Sequence, residues 1–169
     1  MLWSVAAAFY FAEFFLRVAP GAMAGDVQED LHLSAAAFGT AMGLYYLLYA
    51  PLQLIVGVLL DRYGPKCVLP IAAVGCAIGA VMMAGAESES MLSISRMLAG
   101  AGSAFAFVGA VYVATLLFPS GRLGMISGIT VSLGTVGAIV GTAPVVWLDG
   151  EVGWRGTFVG TGIGILVIG

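Results

Sequence analysis

The sequence predicts an all-α integral membrane protein with six transmembrane helices. Of its 169 residues, 61% are hydrophobic and only 9% are charged, a balance that soluble globular domains do not show. Apolar stretches follow one another, and most reach the roughly 20 residues that a helix needs to cross the hydrocarbon core. The lipid bilayer is therefore the first expected partner, and a net charge of −3 gives no reason to expect a nucleic acid.

Apolar length and helix-breaking residues set the predicted spans. They lie at 3–24, 34–60, 67–86, 91–117, 122–147 and 155–169. Ser34 and Ser90 are predicted to cap the helices that follow them, and Gly64-Pro65 and residues 118–121 to form turns. Because the sixth span is short and uncapped, we expect the chain to be part of a longer protein.

The reactive residue types predict no catalytic or metal chemistry. Cys67 and Cys76 point in different directions along one helix, so we expect no disulfide and interpret both as packing residues. His32 stands alone in an acidic connection, without a second metal ligand beside it. The Gly-x-Ser-Gly motif of rhomboid proteases is absent. We expect no metal, no cofactor and no enzymatic activity.

The charges of the connections predict the orientation. Acidic residues occupy the first, third and fifth connections, namely Asp26, Glu29, Asp30, Glu87, Glu89, Asp149 and Glu151. The second and fourth connections carry the bases Arg62, Lys66 and Arg122. Because basic connections stay in the cytoplasm, we expect a cytoplasmic N-terminus, in the bacterial inner (plasma) membrane.

The second connection concentrates charge between two apolar spans. Asp61 lies at the C-terminal end of span two, where the helix dipole disfavours a negative charge. Arg62 and Lys66 are near enough in sequence to compensate this charge, and Gly64 provides the turn. One interpretation is a conformational latch with a specific partner. The other is a solvated turn whose charges only set the topology.

The fifth connection repeats this pattern of an acid, a glycine and a base two positions later, in Asp149, Gly153 and Arg155. Spans two and five also both open with Gly-x-x-x-Gly, at 39–43 and 124–128. Glycine matches arise by chance in a glycine-rich chain, but the match at the charged connections makes chance a weaker explanation.

These matches predict two three-helix repeats, at 1–86 and 87–169. The second repeat is inverted in the membrane, because each repeat has an odd number of spans. Inverted repeats are typical of secondary transporters.

The motifs resemble those of the N-terminal six-helix half of a major facilitator superfamily transporter. Gly57-x-Leu59-x-Asp61-Arg62-x-Gly64-x-Lys66 is similar to the family's signature loop between helices two and three, although Pro65 replaces a usual basic residue. Arg96-Met97-Leu98-Ala99-Gly100-Ala101-Gly102 resembles the helix-four motif, and Gly153-Trp154-Arg155 resembles the start of helix six. Span five, with Gly134, Gly137, Gly141 and Pro144, is similar to the glycine-rich helix five but lacks its glycine-proline pair.

The resemblance implies a role for the second connection. In the family, the acid of this loop contacts a helix N-terminus in the other half of the transporter and holds one access state closed. The latch would then consist of Gly57, Asp61, Arg62, Gly64 and Lys66. A second six-helix half, from the same protein or from another chain, is an expected partner.

Two charges lie well inside a span. Glu13 and Arg17 are four residues apart and share one face of helix one with Tyr10, so they should face a cavity or each other. One interpretation is a structural ion pair. In the other, Arg17 binds an anionic group such as carboxylate or phosphate, and Glu13 is a protonatable site. A helix-one arginine is similar to what anion-transporting branches of the family use.

Further candidates lie on spans two, four and five. Met42, Tyr46, Tyr49 and Gln53 form a helical stripe that either lines the family's central cavity or packs within the bundle. Arg96 either snorkels to the headgroups or, as the resemblance implies, acts in proton coupling or in the electrostatics of the cavity, with Glu13 as candidate partner. The span-five hydroxyls are expected to bond their own helix backbone; they are Ser127, Thr130, Ser132 and Thr135.

The predicted function is that of a secondary active transporter half, which moves a small-molecule substrate by alternating access. We expect symport with a proton or another coupling ion, and an organic anion is the candidate substrate. Two alternatives stay open. One is a membrane assembly or sensing subunit that keeps this fold without moving solute, and the other is a half-size transporter that pairs with itself.

Overall fold

The computed structural model describes residues 2–168, and within this range it contains helices and no strand. The helices are α1 (Leu2–Ala22), α2 (Ala24–Asp30), α3 (Ala35–Gln53), α4 (Val56–Tyr63), α5 (Pro65–Ala84), α6 (Glu89–Ser103), α7 (Ala106–Leu117), α8 (Leu123–Val140) and α9 (Ala143–Ile168), with a 3₁₀ turn at Ser120–Arg122. The predicted all-α class is confirmed.

Five helical segments are long and apolar enough to cross a membrane, and they correspond to the first five predicted spans. The sixth predicted span falls in the second half of α9, after Gly153, where the backbone leaves the helical conformation. Its last residue, Gly169, lies outside the described residues. The chain is an integral membrane protein.

Three predicted spans are broken and not continuous. Span two breaks at 54–55, span four at 104–105 and span five at 141–142. These breaks are not predicted from the sequence, because hydropathy reports the polarity of side chains and not the geometry of the backbone. Each break leaves backbone groups without their regular helical partners. In an apolar environment no water can bond these groups, so other groups of the protein must do so.

The predicted cap at Ser34 is confirmed, because its side chain accepts a hydrogen bond from the backbone N–H of Ala37 at 3.2 Å. The prediction for Ser90 is wrong. Ser88 caps α6 instead and accepts from the N–H of Met91 at 3.3 Å. Ser88 has the extended backbone of a capping residue, whereas Ser90 already lies within the first turn of the helix.

Gly64 and Gly153 are the glycines with positive φ in the described range, at 75° and 73°. Their ψ angles also agree, at 155° and 161°. Both belong to the two charged connections that match in sequence, and only glycine adopts this conformation without strain. The agreement supports two related repeats, which stay a prediction.

Glycines of the helix-four motif allow α6 to approach two neighbours. A Cβ at Gly100 would overlap the backbone of Tyr45 in α3, and a Cβ at Gly102 would overlap Ala72 and Cys76 in α5. Small residues of this kind drive close helix packing in membranes. In the same way, Gly137 of α8 lies against the backbone of α1.

Both cysteines are free thiols, as expected. Cys76 is buried and contacts the carbonyl of Ala99 at 3.5 Å, so its interpretation as a packing residue is confirmed. The same interpretation is wrong for Cys67, which is exposed in the first turn of α5.

Candidate functional site

Glu13 is completely buried in the middle of α1 and concentrates its hydrogen bonds on one oxygen. Oε1 accepts from Arg17 Nε at 2.8 Å, from Arg17 Nη2, and from the Tyr45 hydroxyl at 2.6 Å. The predicted contact between Glu13 and Arg17 is confirmed. Oε2 is buried and has no hydrogen-bond partner among the residues that the structure describes. The carboxylate therefore has one saturated oxygen and one open oxygen.

Tyr45 belongs to this site although it is not among the residues predicted for it. Its hydroxyl donates to Glu13 and accepts from Arg17 Nε at 3.2 Å. The signal was present, because Phe38, Ala41 and Tyr45 are the buried residues of α3 and follow helical spacing. Tyr46, which belongs to the predicted stripe, follows Tyr45 directly in the chain. Adjacent residues of a helix are rotated by about 100°, so Tyr46 points away from the buried face of α3.

Arg17 is only partly enclosed, with 18% of its side chain exposed. Its guanidinium carbon lies 4.6 Å from the ring centre of Phe14 and 4.8 Å from that of Tyr49, within cation–π range. Arg17 lines a pocket of about 240 Å³, which Tyr46 and Arg96 also line. Within the described part of the chain, its Nη1 has no hydrogen-bond partner.

Arg96 is only 2% exposed and turns toward α1. Its Nη1 donates to the carbonyl of Leu16 at 3.1 Å, and its Nη2 contacts the carbonyl of Arg17 at 3.5 Å. The guanidinium carbon also lies 4.8 Å from the ring centre of Tyr45. Arg96 therefore does not snorkel to the headgroups, and it forms no ion pair with Glu13. Its partners are backbone carbonyls of helix one, which no sequence pattern indicates.

The other candidates divide between pocket and packing. Tyr46 is 51% exposed at the pocket, whereas Tyr10 is buried, with its ring centre 5.2 Å from that of Phe107. Gln53 lies away from the pocket, where its Nε2 donates to the carbonyl of Ala104 at 3.1 Å. The expected backbone bonds are confirmed for three span-five hydroxyls, those of Thr130, Ser132 and Thr135.

A family model described as the Major Facilitator Superfamily matches residues 2–169. The chain belongs to the major facilitator superfamily. The predicted resemblance is thereby confirmed, and the helical bundle is the fold of this family. The site formed by Glu13, Arg17 and Tyr45 accordingly lies on helices one and two of a superfamily protein.

Curated relatives are named as transporters. The uncharacterized transporter YybO of Bacillus subtilis is 30% identical over 88% of this chain and 34% of its own length. The probable sulfoacetate transporter SauU of Cupriavidus necator is 27% identical over 94% of this chain and 37% of its own. The nitrate/nitrite transporter NrtP of Picosynechococcus is 30% identical over 68% of this chain and 21% of its own. The chain spans about a third of the length of the first two.

The superfamily's signature loop joins α4 to α5. Asp61, Arg62 and Lys66 are exposed, and none of them forms an ion pair with a described residue. Neither Arg62 nor Lys66 therefore forms a direct ion pair with Asp61. The carboxylate of Asp61 lies instead beside the hydroxyl of Tyr112 in α7, and the role of a latch stays a prediction.

The start of helix six is tied to the opposite, acidic side of the bundle. Arg155 pairs with Asp30 of α2 at 2.9 Å and donates to the carbonyl of Ala84, at the end of α5, at 2.6 Å. Its guanidinium carbon also lies 4.3 Å from the ring centre of Trp154. The Gly153-Trp154-Arg155 motif thus connects three helices at one corner.

Proposed function

We propose that this chain is one half of a secondary active transporter that moves a small anion by alternating access. The observation that carries the proposal is the position of Arg17. Glu13 and Tyr45 hold its Nε and Nη2, while Nη1 has no partner among the described residues and the side chain lines the pocket. A guanidinium presents its donors as a fixed planar fork that suits a carboxylate or a similar oxyanion. Arg96 adds positive charge to the pocket wall.

Glu13 provides a physical route to coupling with a proton. Arg17 cannot offer Nε and Nη2 to an anion while Oε1 of Glu13 accepts from both. A proton on Oε2, the open and buried oxygen, would neutralise the carboxylate and weaken its hold on Arg17. The local positive charge would rise as the anion arrives. Anion and proton would then bind together, which is the condition for symport.

The names of two relatives support an anion as the substrate class. SauU is named for sulfoacetate and NrtP for nitrate and nitrite, and all three are anions. These names identify no substrate for this chain, but they supply defined probes. Sulfoacetate carries two anionic groups and nitrate carries one. Comparing the two anions therefore tests whether Arg17 alone or Arg17 together with Arg96 recognises the ligand.

A second six-helix half completes the proposed transporter. The chain spans about a third of the length of YybO and SauU, and α3 leaves Tyr46 and Leu47 more than half exposed, at 51% and 55%. These residues offer an uncovered face beside the pocket. The proposed topology has the N-terminus in the cytoplasm of a bacterial cell, and the proposed repeats lie at 1–86 and 87–169.

The test is the binding of sulfoacetate and of nitrate by the purified intact protein, with its second half, measured by thermal shift at acidic and at neutral pH. We expect both anions to raise the unfolding temperature, more strongly at acidic pH, and glucose to have no effect. Arg17→Ala should weaken binding at least about tenfold, because it removes the fork. Arg122→Ala is the matched control, since Arg122 is exposed in the fourth connection and should bind as the parent does.

Glu13→Gln tests the coupling, because it should bind the anion with an affinity that no longer depends on pH. Equal binding by the parent and by Arg17→Ala would contradict the proposal. Uptake of sulfoacetate into proteoliposomes then separates two functions. Binding with uptake supports a transporter, whereas binding without uptake would favour the assembly or sensing subunit.

A further inference from the structure

Arg96 is a buried arginine whose partners are not acids. The ion pairs among the described residues join Arg17 to Glu13 and Arg155 to Asp30. Arg96 instead donates to two consecutive backbone carbonyls of α1, those of Leu16 and Arg17. A regular helix gives each such carbonyl a partner four residues later, so an outside donor is not normally needed.

Pro20 explains why the carbonyl of Leu16 accepts an outside donor. It lies inside α1, four residues after Leu16, in the position whose N–H would normally bond that carbonyl. Proline has no N–H, so this helical bond is missing. An unsatisfied carbonyl within the hydrocarbon region is strongly destabilising, because no water is present to bond it. Arg96 Nη1, at 3.1 Å, supplies the donor that Pro20 lacks.

A similar contact occurs at the break between α6 and α7. The carbonyl of Ala104 lies at the break between α6 and α7, outside both helices. Gln53 of span two donates its Nε2 to this carbonyl at 3.1 Å. In both cases a polar side chain from a neighbouring helix satisfies a carbonyl that lacks its helical donor, once at Pro20 within the continuous α1 and once at the break between α6 and α7. The contact of Arg96 therefore follows the general requirement that backbone carbonyls in a membrane find a donor.

The position of this contact connects it to the pocket. The second carbonyl that Arg96 reaches belongs to Arg17, whose side chain lines the pocket. The ring of Tyr45, which holds Glu13 and Arg17, lies under the guanidinium of Arg96 at 4.8 Å. Arg96 therefore contacts the backbone of α1 at the residue whose side chain lines the pocket.

We propose that Arg96 is a positioning residue for the anion site, which replaces the hydrogen bond that Pro20 removes from helix one and thereby holds Arg17 at the pocket. This role deepens the proposed function and rests on it for its consequence in binding. In this role, Arg96 of helix four bonds the backbone of helix one and does not bind the anion or Glu13.

A double-mutant cycle tests the proposal. Arg96→Met keeps an unbranched apolar stem but removes the donors of the guanidinium, and we expect it to lower the unfolding temperature and to weaken sulfoacetate binding at least about tenfold. Pro20→Ala restores an N–H to helix one. The double variant should therefore regain most of the unfolding temperature that Arg96→Met loses, together with most of the binding.

Pro51→Ala is the matched control. Pro51 is also a proline inside a helix, α3, and the carbonyl it leaves without a helical donor belongs to Leu47, which Arg96 does not contact. Combined with Arg96→Met, it should give no rescue. Arg96→Lys keeps one ammonium donor and serves if Arg96→Met does not fold; Pro20→Ala should rescue this variant in the same way, to a smaller extent.

The readouts separate the two proposals. Strictly additive changes in unfolding temperature, measured without any anion, would overturn the hydrogen-bond role of Arg96. Rescue of stability without rescue of binding would overturn its positioning role and make Arg96 a direct ligand. If the parent binds neither sulfoacetate nor nitrate, the proposed function fails, while the cycle on stability still decides the contact between Arg96 and helix one.

Discussion

The hydroxyl of Tyr45 donates a 2.6 Å hydrogen bond to Oε1 of Glu13, and this contact joins span two to span one at a buried site. The same hydroxyl accepts a hydrogen bond from Arg17 Nε, so it contacts both charges of the ion pair. A hydrogen bond to a charged group in a low-dielectric interior is worth more than one between neutral groups. Tyr45 is thus the structural link between the acid, the base and the neighbouring helix.

Tyr45→Phe removes this hydroxyl and keeps the ring. We expect a loss of about 1.5 to 3 kcal/mol in unfolding free energy, because Glu13 loses a donor while it stays buried. Sulfoacetate affinity should also fall, since Arg17 Nε loses a contact that orients the fork. Thermal unfolding and titration with sulfoacetate measure the two effects. Tyr63→Phe is the control, because that ring is 54% exposed on α4 and should tolerate the change; equal stabilities of the two variants would contradict the role of Tyr45.

Gly100→Ala should destabilise the bundle by about 1 to 3 kcal/mol, because the added methyl group overlaps the backbone of Tyr45 and pushes α3 from α6. The displacement also moves Tyr45 away from Glu13, so anion binding should weaken in parallel. Gly43→Ala is the matched control, since nothing lies within 4 Å of a Cβ at that position of α3. Thermal unfolding of both variants decides the point; a Gly100→Ala protein as stable as Gly43→Ala would rule out the close approach.

Asp61→Asn tests the latch. The carboxylate is exposed and lacks an ion pair with the described residues, so neutralising it should leave the unfolding temperature and sulfoacetate affinity unchanged. Uptake into proteoliposomes should nevertheless slow about tenfold or more, because a contact with the second half is lost in one access state. Glu151→Gln, which neutralises an exposed acid in the fifth connection, should not slow uptake. An unchanged rate for Asp61→Asn would leave only the solvated-turn interpretation.

Asp149 predicts a pH dependence of stability outside the membrane-spanning segments. Partial burial and the adjacent carboxyl of Asp26 raise the pKa of Asp149 from 3.8 to about 6. The folded state then binds this proton more tightly than the unfolded state. The stability that protonation of Asp149 contributes is fully present below about pH 4 and is lost as the pH rises through about 6.

Asp149→Asn should remove this decline, because an amide stays neutral beside Asp26. We expect the variant to be more stable than the parent at neutral pH and to approach it in acid. Thermal unfolding across this pH range measures the difference, with Glu151→Gln as the control for a general loss of negative charge. The same pH profile in the parent and in Asp149→Asn would show that the two carboxyls do not interact.

Much of the fold could be predicted because membrane solvation acts on each segment separately. Five predicted spans are found as helices long and apolar enough to cross, and the cap at Ser34 follows from local hydrogen bonding. The breaks at 54–55, 104–105 and 141–142 could not be predicted, since neighbouring helices supply the contacts that make an interrupted helix tolerable.

The sequence by itself determined the class of the protein, the charge of each connection and the contact between Glu13 and Arg17, because positions i and i+4 of one helix meet whatever surrounds them. Only the tertiary structure decided that Tyr45 completes this pair in preference to Tyr46, since a rotation of about 100° between adjacent residues changes the helix that each one meets. It also decided the partner of Arg96. That partner is a backbone carbonyl, available because Pro20 lacks an N–H, and the two helices that meet there are about 80 residues apart in the chain.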